Sequence, residues 1–354
     1  MTALNLVLVL LVGVTACAGL FAVAALLLHV RSERADARTA ARRARWEPVL
    51  LDVLVGDADP AAFAEGFVRR HHGPALALAA TYALRLDGES LALLGTAMAP
   101  LLPRARRLLG ARRSDRRAVA IRLLGLLGTD ADRPRIAEAL HDRSPHVAMA
   151  AARALARTQD ARYAEHLVAA LGRFEAWGPN AVASMLTLYG LPAGPALLRA
   201  FASPDVPAAT RVACAEALRR LGYFPAAGAA ATIAGAAGGV ELLAAALRLL
   251  RDVGGPAEAG AVRPLVESAS EVVRLHAVSA LAAISQDPGD AARIEHALSD
   301  PSPWVAQRAA RGLLESGRAA SLHALAGGSG RRHRVARQAL AEAGLAASEP
   351  ASLP

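Results

Sequence analysis

Residues 302–317 read SPWVAQRAARGLLESG, and this stretch decides the fold. After a turn rich in Asp and Pro, Val305, Ala309 and Leu313 recur at helical spacing, and Gly317 is placed to end the helix. Related stretches begin at residues 114, 144, 207 and 270. The pattern therefore predicts an amphipathic helix that is repeated along the chain.

A leucine near the end of each repeated helix marks the period. These marker leucines are Leu124, Leu155, Leu186, Leu218, Leu250, Leu281 and Leu313. Successive marker leucines are 31 or 32 residues apart, and so constant a period is typical of a solenoid. A second, shorter helix fits between them, for example at residues 160–173 and 289–300. Each unit is therefore predicted to be a helical hairpin.

The composition favours an all-helical array with closely packed helices. Alanine and leucine dominate, aromatic residues make up only 4% of the 354 residues, and all 40 basic side chains are arginine. The two cysteines, Cys17 and Cys214, lie in different segments, so no disulfide framework is expected. Cys214 lies in an Ala-rich helix and is predicted to be buried.

The turn Asp-x-x-x-x-Val at residues 142–147 and 300–305, followed by an Ala-rich helix that ends in Leu, resembles the HEAT-repeat pattern. The short period is similar to that of the phycobilisome-lyase-like HEAT subgroup. The resemblance covers residues 112–345 well and residues 47–111 weakly. It implies an all-α, right-handed α-solenoid of helical hairpins whose Val-containing helices line the concave side, and a function in binding proteins.

The same family includes enzymes, which leaves an alternative. HEAT-like deoxyhypusine hydroxylases hold a di-iron centre on His-Glu pairs, whereas this chain carries only the reversed pairs Glu165-His166 and Glu295-His296. No Gly-rich phosphate loop and no Gly-x-Ser-x-Gly motif occurs. We therefore predict no enzymatic activity, no metal and no cofactor. A HEAT-repeat enzyme of the metal-dependent hydroxylase or bilin-lyase type is the alternative.

Residues 3–30 are almost wholly apolar. At about 1.5 Å per residue, such a helix can cross a hydrocarbon core of about 30 Å, so it predicts a single transmembrane anchor. No basic residue precedes the apolar run, which argues against a cleaved secretory signal. However, the residues that end in Cys17, VTAC, resemble a lipoprotein cleavage box. A secreted lipoprotein scaffold is therefore a further alternative.

Basic residues flank the apolar run on its C-terminal side alone. They are Arg31, Arg34, Arg38, Arg42, Arg43 and Arg45. By the positive-inside rule, this asymmetry predicts a single-pass protein of the bacterial inner membrane with its N-terminus outside and its array in the cytoplasm. The same arginines are expected to attract anionic lipid headgroups.

The chain is thus predicted to have five segments. They are a transmembrane anchor (residues 1–30), a basic juxtamembrane linker (31–46), irregular helical capping repeats (47–111), a HEAT-like repeat array (112–345) and a disordered tail (346–354). Of the 40 arginines, 17 lie in three short windows, at residues 31–45, 104–117 and 331–337. The rest of the chain has more acids than arginines, so a continuous nucleic-acid groove is not expected.

Two sets of residues are candidates for binding a protein partner. The first comprises arginines of the repeated helices: Arg153, Arg248, Arg274, Arg308 and Arg311. The second comprises the aromatic residues Phe174, Trp177 and Trp304, which either fill gaps in the packing or anchor a partner. The leading hypothesis is a membrane-anchored adaptor that holds a protein, such as a membrane-associated enzyme, at the cytoplasmic face. No small-molecule substrate is evident.

Overall fold

The structure is a computed structural model that describes residues 3–65, 72–158, 160–236 and 238–345. Helices are the only regular secondary structure in these ranges. The chain forms two compact units, Met1–Asp132 and Arg133–Pro354. The predicted tail, residues 346–354, lies outside the described residues.

The first unit contains six α-helices in its described part. They are α1 (Ala3–Val55), α2 (Pro60–Glu65), α3 (His72–Ala83), α4 (Gly88–Met98), α5 (Leu102–Leu108) and α6 (Ser114–Leu127). Helices α3 and α5 both pack against α6, and α2 packs against α4. Arg106 of α5 holds Asp132 through two hydrogen bonds, from Nε at 2.7 Å and from Nη2 at 3.0 Å. This pair fixes the end of the unit to its preceding hairpin.

The second unit is a series of helical hairpins. In chain order its described helices are α7 (Arg133–Glu138), α8 (Pro145–Ala156), α9 (Ala161–Ala170), α10 (Pro179–Thr187), α11 (Gly194–Ala202), α12 (Ala208–Arg220), α13 (Ala227–Gly235), α14 (Val240–Val253), α15 (Ala259–Val262), α16 (Glu271–Ile284), α17 (Pro288–His296), α18 (Pro303–Glu315), α19 (Ala319–Ala326) and α20 (Arg331–Glu342). The even-numbered helices from α6 onwards are the repeated ones, and we call them marker helices. Within the second unit, each marker helix contacts the next, from α8 through to α20. This is the stacking of a solenoid.

The core lies between the stacked hairpins. All seven marker leucines are buried, with at most 3% of their surface exposed, which confirms the predicted period. Cys214 is fully buried as predicted, and burial raises the pKa of its thiol to about 12. The predicted end of α18 is also confirmed. Gly317 has a φ of +75°, and the backbone N–H groups of Gly317 and Arg318 bond to the carbonyls of Leu314 and Leu313, as in a Schellman motif.

In the part of the chain that the structure describes, no single helix has both the length and the apolar character needed to cross a membrane. The pair Pro179–Thr187 and Leu191–Ala202, bent by 115°, meets the requirement by length and composition when taken together. The predicted anchor, residues 3–30, falls in the N-terminal part of α1, where most side chains lie outside the described residues. The anchor therefore stays a prediction.

Candidate interaction surface on the marker helices

Polar side chains line one edge of the marker helices. They stand five or two residues before the marker leucine, or one or two residues after it, so each helix presents them on one face. Their members are Glu216, Arg219 and Arg220 of α12, Arg248, Arg251 and Asp252 of α14, His276 of α16, and Arg308, Arg311 and Glu315 of α18. We call this set the polar ladder.

Glu216 is the acidic centre of the polar ladder and is 8% exposed. It accepts hydrogen bonds from Arg219 Nη2 at 2.7 Å, Arg219 Nε at 2.9 Å and Arg220 Nε at 2.9 Å. Arg248 Nε lies 4.0 Å from Glu216 Oε2. The hydrogen bonds from Arg219, reinforced by those from Arg220, lower the pKa of Glu216 to about 2, although burial acts in the opposite direction. Glu216 is therefore ionised at neutral pH.

Arginines extend this network to the neighbouring marker helices. Arg219 Nη1 donates to Asp252 Oδ2 of α14 at 2.6 Å. Arg220 reaches back to α10, where its Nη1 donates to Ser184 Oγ at 2.6 Å and its Nη2 donates to Asn180 Oδ1 at 3.4 Å. Three successive marker helices are thus joined by side-chain hydrogen bonds, which order the long arginine side chains along one edge.

His276 connects the network to α16. Arg248 Nη1 lies 3.4 Å from His276 Nε2, and His276 is half-buried. Burial, together with the charges of Arg248, Arg308 and Arg251, lowers the pKa of His276 to about 4. At neutral pH the ring is therefore uncharged and its Nε2 can accept a hydrogen bond from Arg248. His276 adds no positive charge to an edge that already holds several arginines.

The α18 end of the polar ladder carries excess positive charge. Arg308 is half-buried, and in the described chain no carboxylate lies within ion-pair distance of its guanidinium. Burial lowers the pKa of Arg308, as do the charges of Arg251 and Arg311. Arg251 Nη2 lies 3.4 Å from Glu315 Oε2. Three arginines therefore share a single nearby carboxylate.

Four of the five predicted partner-binding arginines stand at polar-ladder positions of the marker helices. Arg248, Arg308 and Arg311 belong to the polar ladder itself. Arg153 is exposed on α8, two residues before its marker leucine, as Arg248 and Arg311 are on their own helices. Arg274 does not lie on this open edge. The sequence places Glu216 among these arginines as an interspersed acid. The polar ladder also includes residues that were not predicted to bind a partner: Arg219, Arg220, Arg251 and His276. Superposing the repeats on their marker leucines would have found them.

Arg274 is held within the array by hydrogen bonds, and its side chain is only 15% exposed. It donates to Asp300 from Nε at 2.8 Å and from Nη2 at 3.1 Å, and its Nη1 donates to the carbonyls of Ser268 and Ala269. Arg117 and Arg211 stand at the same repeat position. They bond to carbonyls at 111–112 and 201, where the preceding segment ends. This recurring arginine donates to backbone carbonyl groups of the segment that precedes its helix.

The predicted aromatic residues also differ in exposure. Phe174 is fully buried and fills the core, so it is not accessible to a partner. Trp177 is half-buried, with its ring centroid 6.2 Å from that of His146. Trp304, in the first turn of α18, is 66% exposed. The gap-filling interpretation therefore applies to Phe174, whereas the Trp304 ring is open to solvent.

The basic residues after the predicted anchor lie on α1. The side chains of Arg34 and Arg45 are exposed. Those of Arg31, Arg38, Arg42 and Arg43 lie outside the described residues. The predicted attraction of this segment to lipid headgroups therefore stays a prediction.

The described chain was also searched for a cavity that could take a small ligand and for side chains that could hold a metal ion. An open cavity of about 820 Å³ lies beside α17 and is lined by polar groups that include Arg293, His296 and Asp300. Among the residues that the structure describes, no group of three His, Cys, Asp or Glu side chains is arranged to hold a metal ion. The reversed pairs Glu165-His166 and Glu295-His296 belong to the second helices α9 and α17, away from the polar edge of the marker helices.

Comparison with known proteins returned helical-repeat structures at low identity. The karyopherin Kap121p is 15% identical over 87% of this chain and 43% of that chain, with a TM-score of 0.49. Human deoxyhypusine hydroxylase is 21% identical over 68% of this chain and 94% of that chain, with a TM-score of 0.28. CpcE–CpcF of phycocyanin lyase from Nostoc sp. PCC7120 is 19% identical over 68% of this chain and 87% of that chain, with a TM-score of 0.32.

The chain matches less than half the length of the karyopherin structures, 45% in the complex of Kap121p with RanGTP. No curated protein sequence matches it. A family model described as HEAT repeats matches residues 99–186. These residues include the first two repeated helices after α5 and the marker leucines Leu124, Leu155 and Leu186. The chain therefore contains HEAT repeats, within an all-helical, solenoid-like fold.

Proposed function

We propose that this protein is an adaptor that binds a protein partner along the polar ladder. The observation that carries the proposal is the continuity of this edge: side-chain contacts join α10, α12, α14 and α16, and α18 continues the row with Arg308 and Arg311. Repeat arrays present extended surfaces because each unit contacts mainly its neighbours. Arginine is also enriched among the residues that dominate binding energy at protein interfaces.

The charges of the polar ladder favour a protein over a nucleic acid. Six arginines alternate with Glu216, Asp252 and Glu315 along the edge. The interspersed carboxylates would repel a phosphate backbone, whereas a protein can match both signs of charge. A mixed edge of this kind therefore supports specific recognition of a complementary protein surface.

A charge-reversal variant tests the proposal. The test variant is Arg308→Glu with Arg311→Glu. The matched control is Arg135→Glu with Arg293→Glu, because both residues are exposed on second helices and the total charge changes equally. Partners would be recovered from membranes with the full-length test and control variants, provided that each has the melting temperature of the wild type. We expect loss of a specific partner with the test variant alone, whereas equal recovery by both variants would refute the proposal.

We also propose that residues 3–30 anchor the protein in the bacterial inner membrane with the array in the cytoplasm. The apolar run and the arginines that follow it support this orientation. Confinement to a membrane would raise the local concentration of a membrane-associated partner without any new contact. An active periplasmic reporter fused at Pro354, or a mature chain that begins at acylated Cys17, would instead support the secreted lipoprotein.

The proposal includes no catalytic step. Metal analysis and an absorbance spectrum of the purified protein test this part. Bound iron would support a metal-dependent hydroxylase, and a bound bilin chromophore would support a lyase. Either result would replace the adaptor with the enzymatic alternative.

A further inference from the structure

One stripe of α18 combines an exposed aromatic ring with arginines. Trp304, Arg308 and Arg311 are separated by four and three residues, so they lie one above another on the same side of the helix. Trp304 is 66% exposed, Arg308 is half-buried and Arg311 is exposed. The stripe therefore offers an apolar surface beside two guanidinium groups.

The protein itself does not balance the charge of this stripe. In the described chain, neither Arg308 nor Arg311 has a carboxylate within 4.0 Å. Arg251 of α14 adds a third guanidinium, and its own partner is Glu315 at 3.4 Å. At the α12 end of the polar ladder, by contrast, Arg219 bonds to two carboxylates. Within the described polar ladder, the arginines of α18 are thus the ones whose guanidinium groups lack a nearby carboxylate.

Partial burial makes the missing acceptors costly. A guanidinium that loses water without gaining a carboxylate is destabilised, and the nearby arginines add repulsion. Carboxylates match the planar fork of arginine, with two parallel hydrogen bonds for each pair. A ligand with two or more carboxylates would therefore relieve the repulsion and use the donors that Arg308 and Arg311 leave available.

We propose that the stripe of Trp304, Arg308 and Arg311 binds an acidic segment of a protein partner. Carboxylates of the segment pair with Arg308 and Arg311, and an apolar side chain beside them packs on the Trp304 ring. The exposed ring favours a peptide over a free anion because an anion would leave its apolar surface uncovered. This inference rests on the proposed function and names the chemistry of the partner.

The probe is a fluorescein-labelled peptide of Asp and Glu residues with one central Leu, titrated against the full-length chain. A peptide with Lys in place of each acid and a peptide with Ser in place of the Leu are the comparison ligands. The protein variants are Trp304→Ala, Arg308→Glu with Arg311→Glu, and the control pair Arg135→Glu with Arg293→Glu. Melting temperatures show whether each variant keeps its fold.

We expect the charge reversal at Arg308 and Arg311 to weaken peptide binding by about tenfold or more, because two charge-assisted pairs are lost. The control pair should retain binding to within about twofold, because both residues are exposed on second helices outside the stripe and exposed charges are screened by salt. Trp304→Ala should weaken binding of the Leu-containing peptide and leave that of the Ser-containing peptide unchanged. This difference distinguishes an apolar contact from a general loss of structure.

Each of the following results would overturn the inference. They are equal weakening by the control pair, tighter binding of the Lys peptide, and complete displacement of the acidic peptide by millimolar inorganic phosphate, which would indicate a simple anion site. If no acidic peptide binds but the membrane partner is still lost with the Arg308 and Arg311 variant, the inference fails while the proposed function stands. If neither depends on these arginines, both fail.

Discussion

Gly312 of α18 and Ala282 of α16 approach so closely that a methyl group on Gly312 would lie 2.7 Å from Ala282 Cβ. Carbon atoms in favourable contact are about 3.5–4.0 Å apart. The Ala282 methyl group is fixed to the backbone, so the clash can be relieved only if one helix moves. This contact sets the distance between two successive marker helices, whose outer edge carries the polar ladder.

Gly312→Ala should therefore destabilise the protein by about 1–3 kcal/mol, although alanine is the better helix former. Urea unfolding measures the effect. Gly260→Ala is the matched control, because no atom lies within 4 Å of the added methyl group, and it should be neutral or stabilising. Adding Ala282→Gly to Gly312→Ala should restore part of the loss. The packing argument is wrong if both alanine variants have the same stability.

Leu281→Ala should cost about 2–5 kcal/mol, because the side chain is fully buried in the C-terminal part of α16. In a repeat array the loss is shared mainly with neighbouring units, so hydrogen exchange should accelerate most in α14, α16 and α18. Val272→Ala is the control, since Val272 is 48% exposed at the start of the same helix. A uniform increase in exchange along the array would contradict the account.

Asp300→Asn should destabilise the second unit by about 1–3 kcal/mol, because the amide can accept only one of the two hydrogen bonds from Arg274 and carries no negative charge. The side chains of Asp300 and Arg274 are only 8% and 15% exposed, so water cannot replace these bonds fully. Glu165→Gln is the control, since Glu165 pairs with Arg199 and both side chains are 63% exposed. Thermal unfolding should separate the two variants, and equal melting temperatures would show that the Arg274 pair contributes little.

Acidification should destabilise the protein in two steps. The folded pKa of His276 is lowered from 6.5 to about 4, so its contribution is complete above pH 6.5 and is lost as the pH falls towards 4. The folded pKa of Glu216 is lowered from 4.5 to about 2, so its contribution to the free energy of unfolding is lost as the pH falls between these two values. His276→Gln should therefore flatten the first step and leave the second. The measurement is the free energy of unfolding from pH 7 to pH 3. The same dependence on pH in the variant and the wild type would contradict the role of His276.

The sequence alone predicted the parts of the fold that depend on local pattern. The marker leucines, the hairpin repeat and the Gly317 helix end follow from spacing and turn chemistry, and the structure confirms them. The role of Arg274 was missed because its acceptor, Asp300, stands 26 residues further along the chain in the next repeat. For Phe174 the sequence left two interpretations open, because its burial depends on how the segment around it packs, which no periodicity reports. Its full burial supports the gap-filling interpretation.

The candidate site was only partly predictable for a related reason. The pattern of a single helix indicates that Arg248, Arg308 and Arg311 lie between its buried positions, but it does not indicate which side chains of the neighbouring helices they meet. The continuity of the polar ladder appears only when successive helices are stacked in register. That register also explains why Glu216 and His276 contact arginines of the polar ladder.

Site-specific photo-crosslinking in cells tests the central claim most directly. A photoreactive amino acid would replace Glu315 on the polar ladder in one full-length protein and Arg293 on a second helix in another, both residues being exposed. The account predicts a discrete crosslinked product of higher mass from position 315 and none from position 293. A product from position 293 alone would contradict the account, because the partner would then bind the opposite helices.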